Sequence, residues 1–160
     1  MPDVYRSCAS IAVFRPTNVC SPDGCGQVYE ILLLHKPRKN DSWQLPQGGC
    51  EQGEDITQAA VRELQEEASL TVDVFGKSAH VYQYDFPSSY RRFRPDHVRG
   101  QRIEFILALL QGEQQVQVDG KEIDGFQWIL PEQLPQFLRR KAYLEVAQAV
   151  VKDGLTHLAA

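Results

Sequence analysis

Glu63, Glu66 and Glu67 stand three and four residues apart within Ile56 to Ala68, a stretch that reads as one helix. Successive helix residues turn by about 100°, so the three carboxylates fall within one arc of roughly 100°. Thr57, Val61, Leu64 and Ala68 fall on the opposite side, the expected core-facing stripe. Such a helix buries one face and presents three glutamates on the other. Like charges at this spacing destabilise a helix by roughly a few tenths of a kcal/mol per pair, so something has to offset them. A hard divalent cation would do so: magnesium prefers carboxylate oxygens and keeps several waters, which suits a shallow cluster that shares its metal with a phosphate-bearing substrate. A plain solvated acidic face has the same spacing, and periodicity alone leaves both readings open.

The residues in front of the helix narrow the choice. Gly48-Gly49-Cys50-Glu51-Gln52-Gly53-Glu54 leads through Asp55 into it. After Gly48 come five residues and Glu54, seven more and Arg62, then Glu63, an apolar residue, any residue, Glu66, Glu67, any residue, a small residue and Leu70. This arrangement resembles the signature of the Nudix hydrolases, a family that cleaves nucleoside diphosphates linked to another moiety. The family's pattern has Gly where this chain has Ser69. That Gly ends the helix in a left-handed conformation, which Ser adopts less readily, so the departure bears on the cap and leaves every acidic position filled.

The flanks extend the resemblance over about Tyr5 to Val151. WQLPQGG (43–49), YDFP (84–87), RGQ (99–101) before an apolar strand, and EIDGFQW (122–128) are similar to one branch of the family. That branch contains the dinucleoside polyphosphate hydrolases and the RNA 5′-pyrophosphohydrolases. The resemblance implies an α/β fold, the Nudix α/β/α sandwich with a mixed sheet between helices. It implies Mg²⁺ or Mn²⁺, two or more ions, held by Glu63, Glu66 and Glu67 with Gly48 and Glu122. Glu54 is expected to pair with Arg62 and support the catalytic carboxylates, and either Glu66 or Glu122 to accept the proton from water. Without the resemblance Glu122 is an ordinary loop acid.

A chain of 160 residues with 42% hydrophobic residues suits one domain over positions 1–160 with a single core. The net charge of -4 argues against a general nucleic-acid coat, yet charge is segregated. Six acids and one Arg lie between Glu51 and Glu67, whereas six Lys or Arg and two acids lie between Lys77 and Arg102. An acidic metal site beside a basic segment suits a polyanion gripped by cations from both sides. The N-terminus has no positively charged start followed by an apolar run, and no apolar stretch approaches the roughly 20 residues that span a bilayer. Cys8, Cys20, Cys25 and Cys50 lack paired Cys-x-x-Cys steps, so reduced thiols in a cytoplasmic protein are expected.

Along the chain, Ser7 to Phe14 and Tyr29 to Leu34 read as strands joined by a long mobile loop from Arg15 to Gln27. Lys36, Arg38 and Lys39 in the next turn are candidates for a phosphate path, or a solvated turn. Leu70 to Phe75 and Lys77 to Asp85 read as two strands. Phe86 to Arg102 interleaves aromatics with Arg91, Arg92 and Arg94, which would suit a base together with its phosphates, or a flexible basic surface. Gln47, Tyr84 and Arg102 complete the candidate substrate contacts. Strands follow at Ile103 to Leu110 and Ile123 to Ile129, then helices from Pro131 to Phe137 and Lys141 to Val151.

The expected activity is metal-dependent hydrolysis of a phosphoanhydride bond in a dinucleoside polyphosphate such as diadenosine tetraphosphate, or at a capped or triphosphorylated RNA 5′ end. A diphosphoinositol polyphosphate or a nucleotide sugar keeps the chemistry with another substrate. A catalytically idle domain that binds nucleotide or RNA is the alternative outside enzymology. No membrane and no protein partner is inferred, and the chain is expected to be a monomer or homodimer.

Overall fold

In the computed structural model, residues 4–37, 42–88 and 98–159 are described. One mixed sheet carries β1 (Val4–Ser21), β2 (Gly24–His35), β3 (Trp43–Gln44), β4 (Gln47–Gly49), β5 (Val72–Asp85), β6 (Val98–Leu110) and β7 (Gly125–Ile129). The strand path is β3-β2-β1-β6-β5, with β4 also paired to β1 and β7 to β2. Only β1 and β6 run parallel among these pairings; the rest are antiparallel. The helices are α1 (Ile56–Ala68), a single-turn α2 (Leu134–Phe137) that continues a 3₁₀ turn at Pro131–Gln133, and α3 (Lys141–Ala159).

Both faces of the central strands are covered, and their alternation shows it. On β1, Ala9, Ile11 and Val13 point to the α1 side with Leu32, Leu34, Ile106 and Ala108, and meet Ala59, Ala60, Leu64 and Ala68 of the helix. Cys8, Ala12 and Phe14 point the other way with Ile31, Leu33, Ile103 and Phe105, and meet Tyr143, Ala147, Val150 and Val151 of α3. Near-continuous apolar runs such as residues 31–34 are what a sheet buried on both sides requires. The α/β/α sandwich expected from sequence is therefore present.

β1 and β2 pair only from Ser21↔Gly24 to Phe14↔Ile31. Beyond that point they part, β1 taking β4 as its neighbour and β2 taking β3 and β7. The β3–β4 segment wedges into the fork, where the Pro46 carbonyl accepts from the Ile11 N–H at 3.0 Å and the buried Ser10 hydroxyl at 2.9 Å. This fork sets Gln47 to Gly49 against α1 and beside Lys36.

Several expectations are corrected. The segment from Arg15 to Gln27 is a continuous strand hairpin that turns at Pro22 and Asp23, not a mobile loop. Polar side chains on an arm exposed to solvent hid its strand character. The hairpin sets Cys20 opposite Cys25, and the two form a disulfide, so four reduced thiols are not what the fold contains; Cys8 and Cys50 are free. Residues 72–85 form one strand with irregular register near Phe75 and between Lys77 and Val81, rather than two strands. β7 begins at Gly125, two residues later than expected. α3 runs past Val151 to Ala159, through Gly154, where a Cβ would meet the Phe14 ring at 2.2 Å. No helix among the described residues is long and apolar enough to cross a membrane.

Candidate active site

Local chemistry fixes both ends of α1. Asp55 accepts from the Gln58 N–H at 2.8 Å while the Gln58 side chain accepts from the Asp55 N–H at 3.0 Å, a reciprocal N-terminal cap. At the other end Ser69 adopts φ 58°, ψ 39° and donates its N–H to the Gln65 carbonyl. The left-handed cap is kept even though Ser stands where the signature has Gly.

The buried stripe is rotated from the expected one. Thr57 and Val61 are exposed, whereas Ala59, Ala60, Leu64, Ala68 and Glu67 are buried, with Glu67 only 2% exposed. The pair of alanines lets the helix approach the sheet closely, and that side of α1 carries Glu67 inward with it. The three glutamates thus occupy three environments instead of one solvent face. Glu67 is buried, Glu63 is at the margin, and the Glu66 side chain is 58% exposed.

Arg62 is the hub of this face. Its Nε and Nη2 donate to the Glu54 carboxylate at 2.7 and 3.0 Å, Nη2 also to the Gly49 carbonyl at 3.0 Å, and Nη1 to Glu63 at 3.0 Å and Glu66 at 3.2 Å. Glu54 in turn accepts from the Glu51 N–H at 2.9 Å. The Arg62 guanidinium holds the Glu54 carboxyl below its usual pKa, and the same contacts raise that of Arg62. The expected pairing of Glu54 with Arg62 is present.

Glu63 borders a cleft lined by Gly48, Glu122, Gln47, Lys36, Lys121 and Arg6. Gly48 has no room for a side chain: a Cβ there would lie 2.0 Å from the Glu63 carboxyl carbon. Glu67 lies close behind, accepting from the Gln47 N–H at 3.1 Å. Burial pushes its carboxyl up to about 8, opposed by the charge of Lys36 and reinforced by Glu63 and Glu122. Burial also raises the Glu63 carboxyl, against the pull of Arg62. A second cleft adjoins the first and shares Lys36, Gln47 and Gln101 with it; Trp43, Tyr82, Tyr84 and Tyr143 give it aromatic walls and Arg140 borders it.

Of the residues singled out in the sequence, Gly48, Glu63, Glu122, Lys36 and Gln47 therefore share one cleft, and Tyr84 lines its neighbour. Glu66 lines neither and is held by Arg62. Arg102 also stands apart: Gln101 and Ile103 border the aromatic cleft, and strand alternation turns the exposed Arg102 between them to the other face. Arg38, Lys39, Arg91, Arg92 and Arg94 lie outside the described residues. Sequence reasoning passed over Arg6, Lys121, Trp43 and Tyr143. Lys121 adjoins Glu122 and could have been noticed; nothing local marks Arg6, which is brought in by the pairing of β1 with β4 and with β6, where Gln101 stands opposite it.

Among the described residues no three His, Cys, Asp or Glu side chains close around a common point. The donor chemistry nonetheless fits a hard cation. Burial raises the carboxyls of Glu63 and Glu67 even against the charges of Arg62 and Lys36, Gly48 and Glu122 share the cleft with Glu63, and among the described residues the buried Gln47 Oε1 has no hydrogen-bond partner.

The profile of the NUDIX domain matches residues 15–150. Nudix hydrolase 27, chloroplastic, of Arabidopsis thaliana is 30% identical over 147 residues, which is 82% of this chain but 63% of that protein, so the chain spans less than two thirds of it. An RNA pyrophosphohydrolase of Sulfurovum sp. (strain NBC37-1) is 31% identical over 142 residues, 84% of this chain and 87% of that one. Among solved structures, a binary complex of the C. elegans Ap4A hydrolase superposes with a TM-score of 0.72 at 21% identity, covering 97% of this chain and 99% of that one, which shows a shared fold.

Proposed function

The chain belongs to the Nudix family, and on that premise we propose that it hydrolyses a phosphoanhydride bond in a nucleoside-bearing polyphosphate, either a triphosphorylated or capped RNA 5′ end or a dinucleoside polyphosphate. One observation carries the reading. A single cleft joins the acids Glu63 and Glu122 to the cations Arg6, Lys36 and Lys121, and opens onto an aromatic-walled cleft. A polyphosphate needs the first and its nucleoside suits the second. The names of the Sulfurovum relative and of the C. elegans structural neighbour point to the same two substrate types.

Nudix hydrolases generally use divalent cations. Here Glu63, Glu67, Glu122 and the Gly48 carbonyl would hold Mg²⁺ or Mn²⁺, two or more ions, with Glu66 joining them on release from Arg62. Such cations, when bound, neutralise phosphate charge and acidify water. The chain's own part is positioning. Arg6, Lys36 and Lys121 meet phosphate oxygens, Arg62 and Glu54 hold Glu63 in place, and the tyrosines and Trp43 stack on a base. Glu122, on the cleft wall, is better placed than Glu66 to take a proton from the attacking water at a carboxylate oxygen.

The reading is tested by incubating the purified chain with Mg²⁺ or Mn²⁺ and triphosphorylated RNA, diadenosine tetraphosphate, ADP-ribose or a diphosphoinositol polyphosphate. Turnover of either of the first two above the others is expected. Preference for ADP-ribose or the inositol compound would overturn the substrate assignment. Binding without turnover of any would overturn the enzymatic one.

A further inference from the structure

The loop that carries Lys121 and Glu122 to the cleft is built around a residue that does not line it. Asp119 Oδ1 accepts the N–H of Lys121 at 2.9 Å and that of Ile123 at 3.0 Å, so the chain wraps around one carboxylate oxygen. Gly120, at φ +76°, permits the wrap and donates its own N–H to the Ile123 carbonyl at 2.9 Å. Two anchors hold the far end. Ile123 is fully buried in the α1-side core, and Asp124 gives its N–H to the His35 carbonyl while its side chain meets the His35 ring. Between these fixed points stand two exposed residues whose side chains line the cleft with opposite charges.

We propose that Asp119 is a positioning residue for the reaction: by gathering the N–H groups of the 119–123 turn it presents Lys121 and Glu122 to the cleft together, in one fixed orientation. This rests on the hydrolase reading given above. The geometry separates the role from ordinary surface decoration. Asp119 is exposed, and truncating an exposed side chain usually changes little. Here truncation frees two backbone N–H groups in the turn that aims both residues. A carboxylate contact of the same kind, Glu54 on the Glu51 N–H, holds the turn before α1.

The test uses Asp119→Ala and Asp119→Asn in the full chain, with steady-state kinetics, calorimetric Mn²⁺ binding and thermal unfolding measured on each. Asp119→Ala is expected to weaken both kcat/KM and Mn²⁺ affinity by about tenfold or more, as loss of a residue that orients a ligand does. Asp119→Asn, which keeps the acceptor oxygen, should recover most of both. In a Lys121→Ala, Glu122→Gln background the Asp119→Ala change should have no further effect, because what it positions is already gone. The proposal is overturned by wild-type kinetics and Mn²⁺ binding in Asp119→Ala, by Asp119→Asn failing to recover either, or by an undiminished loss in that double background. Absence of wild-type turnover with Mn²⁺ binding still dependent on Asp119 would remove the hydrolase reading and keep the positioning role.

Discussion

The Arg62 guanidinium meets the Glu54 carboxylate as a two-pronged fork, Nε to Oε2 at 2.7 Å and Nη2 to Oε1 at 3.0 Å. Nη2 also reaches the Gly49 carbonyl, so the middle of α1 is tied to the end of β4 and to the turn between them. An ammonium cannot reproduce two parallel donors plus a third contact. Arg62→Lys is therefore expected to keep the charge and lose the register of Glu63 against Gly48, lowering kcat by about tenfold or more. Unchanged kcat in Arg62→Lys would show that charge alone suffices.

Glu67 makes the metal-free protein sensitive to pH. Its carboxyl is pushed from 4.5 to about 8 by burial. Between those values the folded chain binds more protons than the unfolded one, so this contribution to stability is complete below 4.5 and is lost as pH rises through 8. A divalent cation competes with the same proton, so Mn²⁺ affinity should strengthen over the same interval. Thermal melts in chelator should show the wild type losing stability from the acid to the alkaline end of that window, and Glu67→Gln losing less. Turnover by Glu67→Gln should fall by at least about two orders of magnitude. Equal pH slopes, or normal turnover, would remove Glu67 from the site.

Ser69 is the non-glycine residue with positive φ among the described residues, and it stands where the signature has Gly. A left-handed conformation costs an L-residue about 1–2 kcal/mol. Against that, glycine raises the entropy of the unfolded chain by about 0.5–1 kcal/mol, and the 3.3 Å bond from the Ser69 hydroxyl to the Gln117 carbonyl would be lost. That bond is long and exposed, so the conformational term should win by a fraction of a kcal/mol. Ser69→Gly is expected to raise the melting temperature by about one to three degrees and leave kcat unchanged. A lower melting temperature would mean that the hydroxyl bond outweighs the backbone.

What could be read from the chain was whatever depends on short-range spacing. The run from Gly48 to Leu70 announces α1, its acids and the Glu54–Arg62 pair, because all lie within a few turns of one another. Arg6 and Tyr143 were silent, since they reach the clefts through β1–β4 pairing and through α3 packing back over the sheet, contacts between residues far apart in sequence. The orientation of α1 is hidden in the sequence for a related reason. Helical periodicity says which residues share a face but not which face meets the sheet, and there Ala59 and Ala60 decided against Val61 and brought Glu67 inside. Strand parity, which turns neighbours to opposite faces, sets Arg102 away from the cleft that Gln101 and Ile103 line.

Two glycines near the clefts separate effects on function from effects on folding. At Gly48 an added Cβ would meet the carboxylate end of Glu63 at 2.0 to 2.5 Å, the movable tip of a side chain. At Gly100 it would meet the Tyr84 carbonyl oxygen at 1.9 Å, which belongs to the neighbouring strand β5 and cannot turn aside. Gly48→Ala should thus fold, with Glu63 driven off its position and kcat down by about tenfold to a hundredfold. Gly100→Ala should instead force β5 from β6 and destabilise the chain by several kcal/mol. Circular dichroism melts and kinetics on the two variants check the contrast. If Gly48→Ala loses stability as severely as Gly100→Ala, then Glu63 is held too rigidly to yield, and the cleft is part of the structural core rather than a surface free to accept a ligand.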